Sequence, residues 1–166
     1  MAKITLKGND CNTCGDLPAV GSAAPDFKLV DGDLGEKSLA DFSGKKVVLN
    51  IIPSLDTGIC ALSAKAFNGK AGDLGDAVIV NVSKDLPFAQ KRFCESESLG
   101  HVSNLSAFRC SKFGEAYGAS IVDGPLKGLL CRAVVVVGTD GNVEYTELVP
   151  EIAQEPNYDA AYAALA

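Results

Sequence analysis

The residues of this 166-residue chain best suited to chemistry are its six cysteines, and their settings differ. Cys60 ends the stretch Pro53-Ser54-Leu55-Asp56-Thr57-Gly58-Ile59-Cys60, between an apolar run, Val47 to Ile52, and a helix-like run, Ala61 to Phe67. A strand-to-helix turn leaves backbone N–H groups unpaired and sets the positive end of the helix dipole beside the side chain. Both favour the thiolate, the nucleophilic form of cysteine. Pro53 fixes one end of the loop, Gly58 permits close backbone approach, and Thr57 supplies a hydroxyl within reach of the sulfur or of a substrate oxygen. The competing reading makes Cys60 a small buried hydrophobe and Thr57 a helix N-cap.

Cys11-Asn12-Thr13-Cys14 has the spacing of a dithiol oxidoreductase. Such pairs open a helix after a strand, whereas Asp16-Leu17-Pro18-Ala19-Val20-Gly21 is rich in turn formers. No second pair completes a zinc-binding pattern. The two thiols are expected on a surface hairpin, incidental or loosely redox-active, with an auxiliary disulfide or a metal clip as the alternative. Cys94 taken alone reads as a buried helical cysteine, and Cys110 as a packing or capping residue. Arg132 is the one charged side chain between Leu129 and Val137. It marks either the solvent end of a strand or a cation for a thiolate. Strand alternation sends Arg132 and Cys131 to opposite faces, leaving Cys131 in the core or on the back face. His101, the sole histidine, follows Leu99-Gly100 without an orienting motif, so a Cys–His hydrolase finds no support.

The elements that must position these residues follow from apolar periodicity and turn signals. Ile4 to Gly8 alternates as an edge strand, and Pro25 to Val30 alternates before the turn Asp31-Gly32-Asp33. Ser38 to Phe42 forms a short helical turn; Val47 to Ile52 and Ala77 to Val82 are buried strands. Leu86-Pro87 opens a helix from Phe88 to Cys94 or beyond, followed by a polar loop, Glu95 to His101, and a short strand, Val102 to Leu105. Cys110 to Gly118 is a helix closed by glycine, Leu129 to Val137 a strand, Thr139 to Asn142 a hairpin turn, and Val143 to Leu148 the return strand. An alanine-rich helix with Tyr158, Tyr162 and Leu165 on one face ends the chain. This order implies an α/β sandwich around a mixed sheet, with no repeats or linkers and one domain over residues 1–166.

Composition narrows the function classes. Apolar residues make up 47% and charged residues 22%, which excludes a disordered class. The net charge of −6 and the lack of a basic block argue against nucleic acid as a partner. No apolar run approaches the roughly 18 residues of a membrane span. No signal-peptide core precedes the first strand, so a cytoplasmic protein is expected. In that compartment cysteines are catalytic, redox-sensing or metal-binding rather than a structural framework. Two rivals therefore stand beside an enzyme acting through Cys60: an oxidoreductase using Cys11 and Cys14, and a redox sensor or metal-binding protein.

The segment Pro53 to Cys60 resembles the active-site signature of the bacterial thiol peroxidases, a branch of the peroxiredoxins. Three further motifs fit in order: Asp85-Leu-Pro-Phe-Ala-Gln-Lys-Arg-Phe-Cys94, Leu129-Leu-Cys-Arg132 with its valine run, and Glu147-Leu-Val-Pro-Glu-Ile-Ala-Gln-Glu-Pro-Asn-Tyr158. Ile4 to Asn9 and Leu17 to Gly21 also fit, so the resemblance covers nearly the whole chain. It implies a thioredoxin-like fold with an N-terminal β-hairpin extension. It implies a thiol-specific peroxidase that reduces hydrogen peroxide and organic hydroperoxides without metal, haem or flavin. Pro53, Thr57, Cys60 and Arg132 would form the peroxide pocket, with Cys60 as nucleophile and Cys94 as the resolving cysteine that joins it in an intramolecular disulfide. Thioredoxin would be the reductant and a homodimer the assembly. A disulfide needs Cα atoms within about 7 Å, and two cysteines on adjacent helices would be farther apart when reduced, so helix ends are expected to unwind locally during turnover. The family hairpin does not normally carry two cysteines, which leaves Cys11 and Cys14 unassigned.

Overall fold

The computed structural model describes residues 1–166. Seven strands form one mixed sheet: β3 (Lys28–Val30), β4 (Glu36–Ser38), β5 (Val47–Ile51), β6 (Val78–Ser83), β7 (Ser103–Ser106), β8 (Ala133–Val137) and β9 (Val143–Leu148). Their spatial order is β4-β3-β7-β6-β5-β8-β9. The central pairs β5–β6 and β6–β7 are parallel, and the remaining pairs are antiparallel. A separate hairpin, β1 (Lys3–Leu6) with β2 (Asn9–Asn12), precedes the sheet. Its tight turn needs positive φ at both central residues, Lys7 (50°) and Gly8 (81°). This is the thioredoxin-like architecture with an N-terminal hairpin.

Four helices cover the sheet: α1 (Gly58–Ala71), α2 (Pro87–Ser96), α3 (Ser111–Ala116) and α4 (Tyr158–Ala163). Strand alternation separates the two faces. Val47, Leu49, Ile51, Val80, Val82, Leu105, Ala133, Val135 and Val137 join the core that holds Phe113 and Tyr117 of the α3 region. Val48, Ile79, Val134 and Val136 turn the other way, against Phe67 of α1 and Ala161 of α4. Tyr158 and Tyr162 meet the Phe67 ring edge-on, with centroids at 5.2 and 5.8 Å.

Several boundaries differ from the sequence expectation. α1 starts at Gly58 rather than Ala61, so Cys60 lies in its first turn. α2 runs on past Cys94 to Ser96, within the expected extent, and Cys94 lies in its last turn. Leu129 to Cys131 are not strand: Cys131 N–H donates to the Ala119 carbonyl and Ile121 N–H to that of Leu129. The strand begins at Ala133, where pairing with β5 and β9 takes over. α3 ends on Gly118 as expected; its φ is +62°, and a Cβ there would fall 2.1 Å from the Asp16 carbonyl oxygen. The hairpin carrying Cys11 is present, but Cys11 is not a surface thiol. It pairs with Ile4 and packs in the main core at 3% exposure.

Candidate active site

The loop after β5 is built to hold Cys60. Pro53 is buried at the strand end. Beyond it, the Asp85 carboxylate braces the loop: it accepts from Ser54 Oγ at 2.6 Å, Leu55 N–H at 2.8 Å and Ser83 Oγ at 2.7 Å. Asp85 stands just after β6, so the parallel β5–β6 pair brings the brace to the loop. Thr57 N–H donates to the Ser54 carbonyl, and Ala61 N–H to that of Thr57, the first bond of α1. The Cys60 N–H is thus among the unpaired donors at the helix start. Cys60, Ser63, Ala64 and Phe67 form the buried stripe of α1, at helical spacing. The Cys60 side chain is fully buried against Ile52, Leu55, Ala64 and Leu99, with Phe93 and Cys94 at the edge of the same cluster.

Arg132 is the largest fully buried side chain, at 1% exposure. Its Nη2 donates to Cys60 Sγ at 3.2 Å and its Nε to the Ile152 carbonyl at 2.7 Å. Nη1 is buried without a protein partner. A buried guanidinium is expensive unless paired. Its place beside a sulfur, with one donor group still free, is the arrangement that stabilises a thiolate and can hold an oxygen anion. The reading of Arg132 as the solvent end of a strand does not hold. Arg132 and Cys131 do face opposite ways, and Cys131 lies in the main core, where burial pushes its thiol up to about 12.

The Ile152 carbonyl is itself held by the hairpin. Ile152 N–H donates to the Thr5 carbonyl at 2.8 Å, and Thr5 N–H to that of Pro150 at 2.7 Å. The Glu151 carboxylate accepts from the N–H groups of Ala153, Gly8 and Lys7 and from the Thr5 hydroxyl, which hold its carboxyl down at about 2.

Thr57 occupies the N-cap position, yet its hydroxyl makes no capping bond and donates to the Ser54 carbonyl at 3.0 Å. The residue is exposed, and its hydroxyl does not bond the sulfur. Cys94 packs at the rim of the Cys60 cluster, and its Sγ accepts from Asn104 Nδ2 at 2.6 Å. Both cysteines are free thiols. Burial raises the Cys94 thiol above its ordinary value, and the Asn104 bond opposes that shift. His101 is exposed; its N–H donates to Asn68 Oδ1. Cys14 donates to the Gly114 carbonyl at 3.3 Å, and neither it nor Cys11 opens a helix, as a dithiol oxidoreductase requires. The bracing role of Asp85 is not evident from the sequence, where the residue shows only as a polar strand end, Ser83-Lys84-Asp85, and as the start of the motif that runs to Cys94.

Residues 19–162 match the redoxin family. Over 165 residues, 99% of each chain, the sequence is 62% identical to a thiol peroxidase of Mycobacterium tuberculosis (strain H37Rv). The chain belongs to the thiol peroxidases. The thiol peroxidase of Corynebacterium glutamicum is 52% identical over 99% of both chains. A crystal structure of a peroxiredoxin-like protein from Aquifex aeolicus is 40% identical, covers 99% of this chain and 96% of its own, and superposes with a TM-score of 0.93. As a thiol peroxidase the chain is an enzyme of the peroxiredoxin type, with an antioxidant function.

Proposed function

We propose that Cys60 is the peroxidatic nucleophile and Cys94 the resolving thiol of a cycle that reduces hydrogen peroxide and organic hydroperoxides. The observation that carries this reading is Arg132 Nη2 at 3.2 Å from Cys60 Sγ in a fully buried pocket, with Nη1 unpaired beside it. The Cys60 thiolate attacks the terminal peroxide oxygen, the O–O bond breaks, and water or an alcohol leaves with a proton. Arg132 holds the sulfur and, through Nη1, the oxygen that gains charge. The Thr57 O–H is engaged by Ser54, which leaves its oxygen lone pairs to accept the peroxide O–H. Pro53 excludes water from the sulfur. Cys94 then attacks the Cys60 sulfenic sulfur and releases water, giving a disulfide. A dithiol of the thioredoxin type restores both thiols by exchange. Residues 1–166 act as one unit.

No helix is long and apolar enough to cross a membrane. Six free cysteines suit a reducing, cytoplasmic setting. Leu86 (51% exposed), Phe88 (64%) and Phe108 (41%) flank the bond between the Ser106 hydroxyl and the Asp85 carbonyl, and a homodimer would cover them.

The test is a thioredoxin-coupled peroxidase assay on wild type, Cys60→Ser and Cys94→Ser, with intact mass after one equivalent of cumene hydroperoxide. Activity lost in Cys60→Ser, with a two-hydrogen mass loss in wild type mapped to Cys60 and Cys94, supports the cycle. Full turnover by Cys60→Ser would overturn it.

A further inference from the structure

Three asparagines stand side by side on neighbouring strands. The register pairs Asn50 of β5 with Asn81 of β6, and Asn81 with Asn104 of β7. Asn50 Nδ2 donates to Asn81 Oδ1 at 2.9 Å, and Asn81 Nδ2 to Asn104 Oδ1 at 3.0 Å. At one end the row continues into α1: Asn50 Nδ2 also reaches Ser63 Oγ at 3.3 Å, and Ser63 donates to the Cys60 carbonyl at 3.0 Å. At the other end Asn104 Nδ2 donates to Cys94 Sγ. An unbroken line of hydrogen bonds therefore joins the backbone of one catalytic cysteine to the sulfur of the other.

Apolar residues would fill a sheet face at less cost. Asn50 is 0% and Asn81 1% exposed, and Asn50 Oδ1 has no partner. Buried amides are costly unless bonded, and a bonded network fixes one arrangement of its members. What the row fixes is the last turn of α2. Phe93 and Cys94 also pack on the rim of the Cys60 cluster, and the other polar ties include the exposed Lys65–Glu97 ion pair and the bond from Leu99 N–H to the Cys94 carbonyl. An exposed ion pair contributes little.

We propose that Asn104, backed by Asn81 and Asn50, is a positioning residue that latches the Cys94 thiol to β7 and thereby sets how fast Cys94 leaves to meet the Cys60 sulfenic acid. The proposal rests on the reading of Cys94 as the resolving thiol. While the latch holds, the sulfur of Cys94 is committed to Asn104, and a disulfide needs it about 2.05 Å from the sulfur of Cys60. Once released, the Cys94 thiolate attacks the Cys60 sulfur; the S–O bond breaks and the leaving hydroxide takes a proton to give water. If release is slow, a second hydroperoxide gives up an oxygen to Cys60 instead. The products are then the sulfinic acid and one more alcohol. The latch thus divides sulfenic acid between recycling and inactivation.

Single-turnover kinetics of Asn104→Ala test this. Disulfide formation should speed up about five- to tenfold, the scale of one lost hydrogen bond. The hydroperoxide concentration that half-inactivates the enzyme, read as sulfinic acid by mass, should rise by a similar factor. Oxidation of Cys60 to sulfenic acid should keep its rate, which also reports a folded site. In the Cys60→Ser background, the pH midpoint for alkylation of Cys94 should move up, because the donor that favours its thiolate is gone. A pocket lined by Gly32, Asp33, Lys91 and Cys94 gives the reagent access. Asn104→Ser carries the same expectations while keeping a hydroxyl for Asn81. Unaltered disulfide rates in both variants, or an unmoved alkylation midpoint, overturn the latch. If wild type forms no Cys60–Cys94 disulfide, the reading of Cys94 falls first and the latch with it.

Discussion

At the scale of single residues, the proposed chemistry rests on one cation and one sulfur. Arg132 spends Nε on the Ile152 carbonyl and Nη2 on Cys60, keeping Nη1 free. A lysine has one ammonium point and cannot hold the carbonyl, the sulfur and an incoming oxygen in the same fixed fan. Arg132→Lys should therefore lower kcat/KM for hydroperoxide about 10²–10³-fold, the range seen when one donor to a developing anion is removed. Steady-state assays would check this, with Cys60→Ser as the floor. The other buried thiols behave differently. Burial pushes the Cys131 thiol up to about 12, which keeps it protonated at pH 8. Burial and the nearby Asp123, Glu151 and Asp10 carboxylates also push the Cys11 thiol up. Iodoacetamide at pH 8 should leave both unmodified in the native protein and reach them only in denaturant, as peptide mapping would show.

At the scale of elements, the loop before α1 is held by its own turn bonds to Ser54 and by a brace from the end of a neighbouring strand. Asp85→Ala removes three bonds from Ser54, Leu55 and Ser83 at once. Small displacements of a reacting group cost up to about 10²-fold in rate. Oxidation of Cys60 by peroxide should slow by roughly that factor, measured by stopped flow, while far-UV circular dichroism stays native. α1 itself is fixed by Phe67, packed between Val48, Val134 and the edges of Tyr158 and Tyr162. Phe67→Ala should destabilise the fold by about 3–5 kcal/mol. For a chain of this size that corresponds to a fall in Tm of about 6–20 °C by calorimetry.

At the scale of the whole molecule, the N-terminal hairpin reaches the proposed active site through Glu151. Its carboxylate ties Thr5, Lys7 and Gly8 to the segment whose Ile152 carbonyl orients Arg132. The Glu151 carboxyl is lowered from 4.5 to about 2 in the fold. Its contribution to stability is therefore complete above the unfolded value and is lost as pH falls from about 4.5 through 2. Denaturant midpoints recorded from pH 6 to pH 2 should fall less steeply in Glu151→Gln than in wild type. The variant should also lose peroxidase rate at neutral pH, since the seat of Arg132 loosens.

The sequence alone determined what is local. Alternation and turn residues located β5, β6, β9 and the α3 stop at Gly118, and the strand–loop–helix setting marked Cys60, because each depends on neighbours along the chain. That Arg132 and Cys131 face opposite ways was also expected, although both precede the strand that begins at Ala133 and the alternation behind the expectation does not reach them. Tertiary structure decided which distant residues meet. Arg132 reaches Cys60 because β8 lies beside β5, an order that one-dimensional periodicity does not encode. Asn50, Asn81 and Asn104 look like unrelated polar interruptions of apolar runs until the register of three strands aligns them. The placement of Cys11 was misjudged for the same reason: turn-rich neighbours suggested a surface, whereas the hairpin folds its inner face onto the main core. Burial is a property of what packs from elsewhere in the chain, and only the folded molecule supplies it.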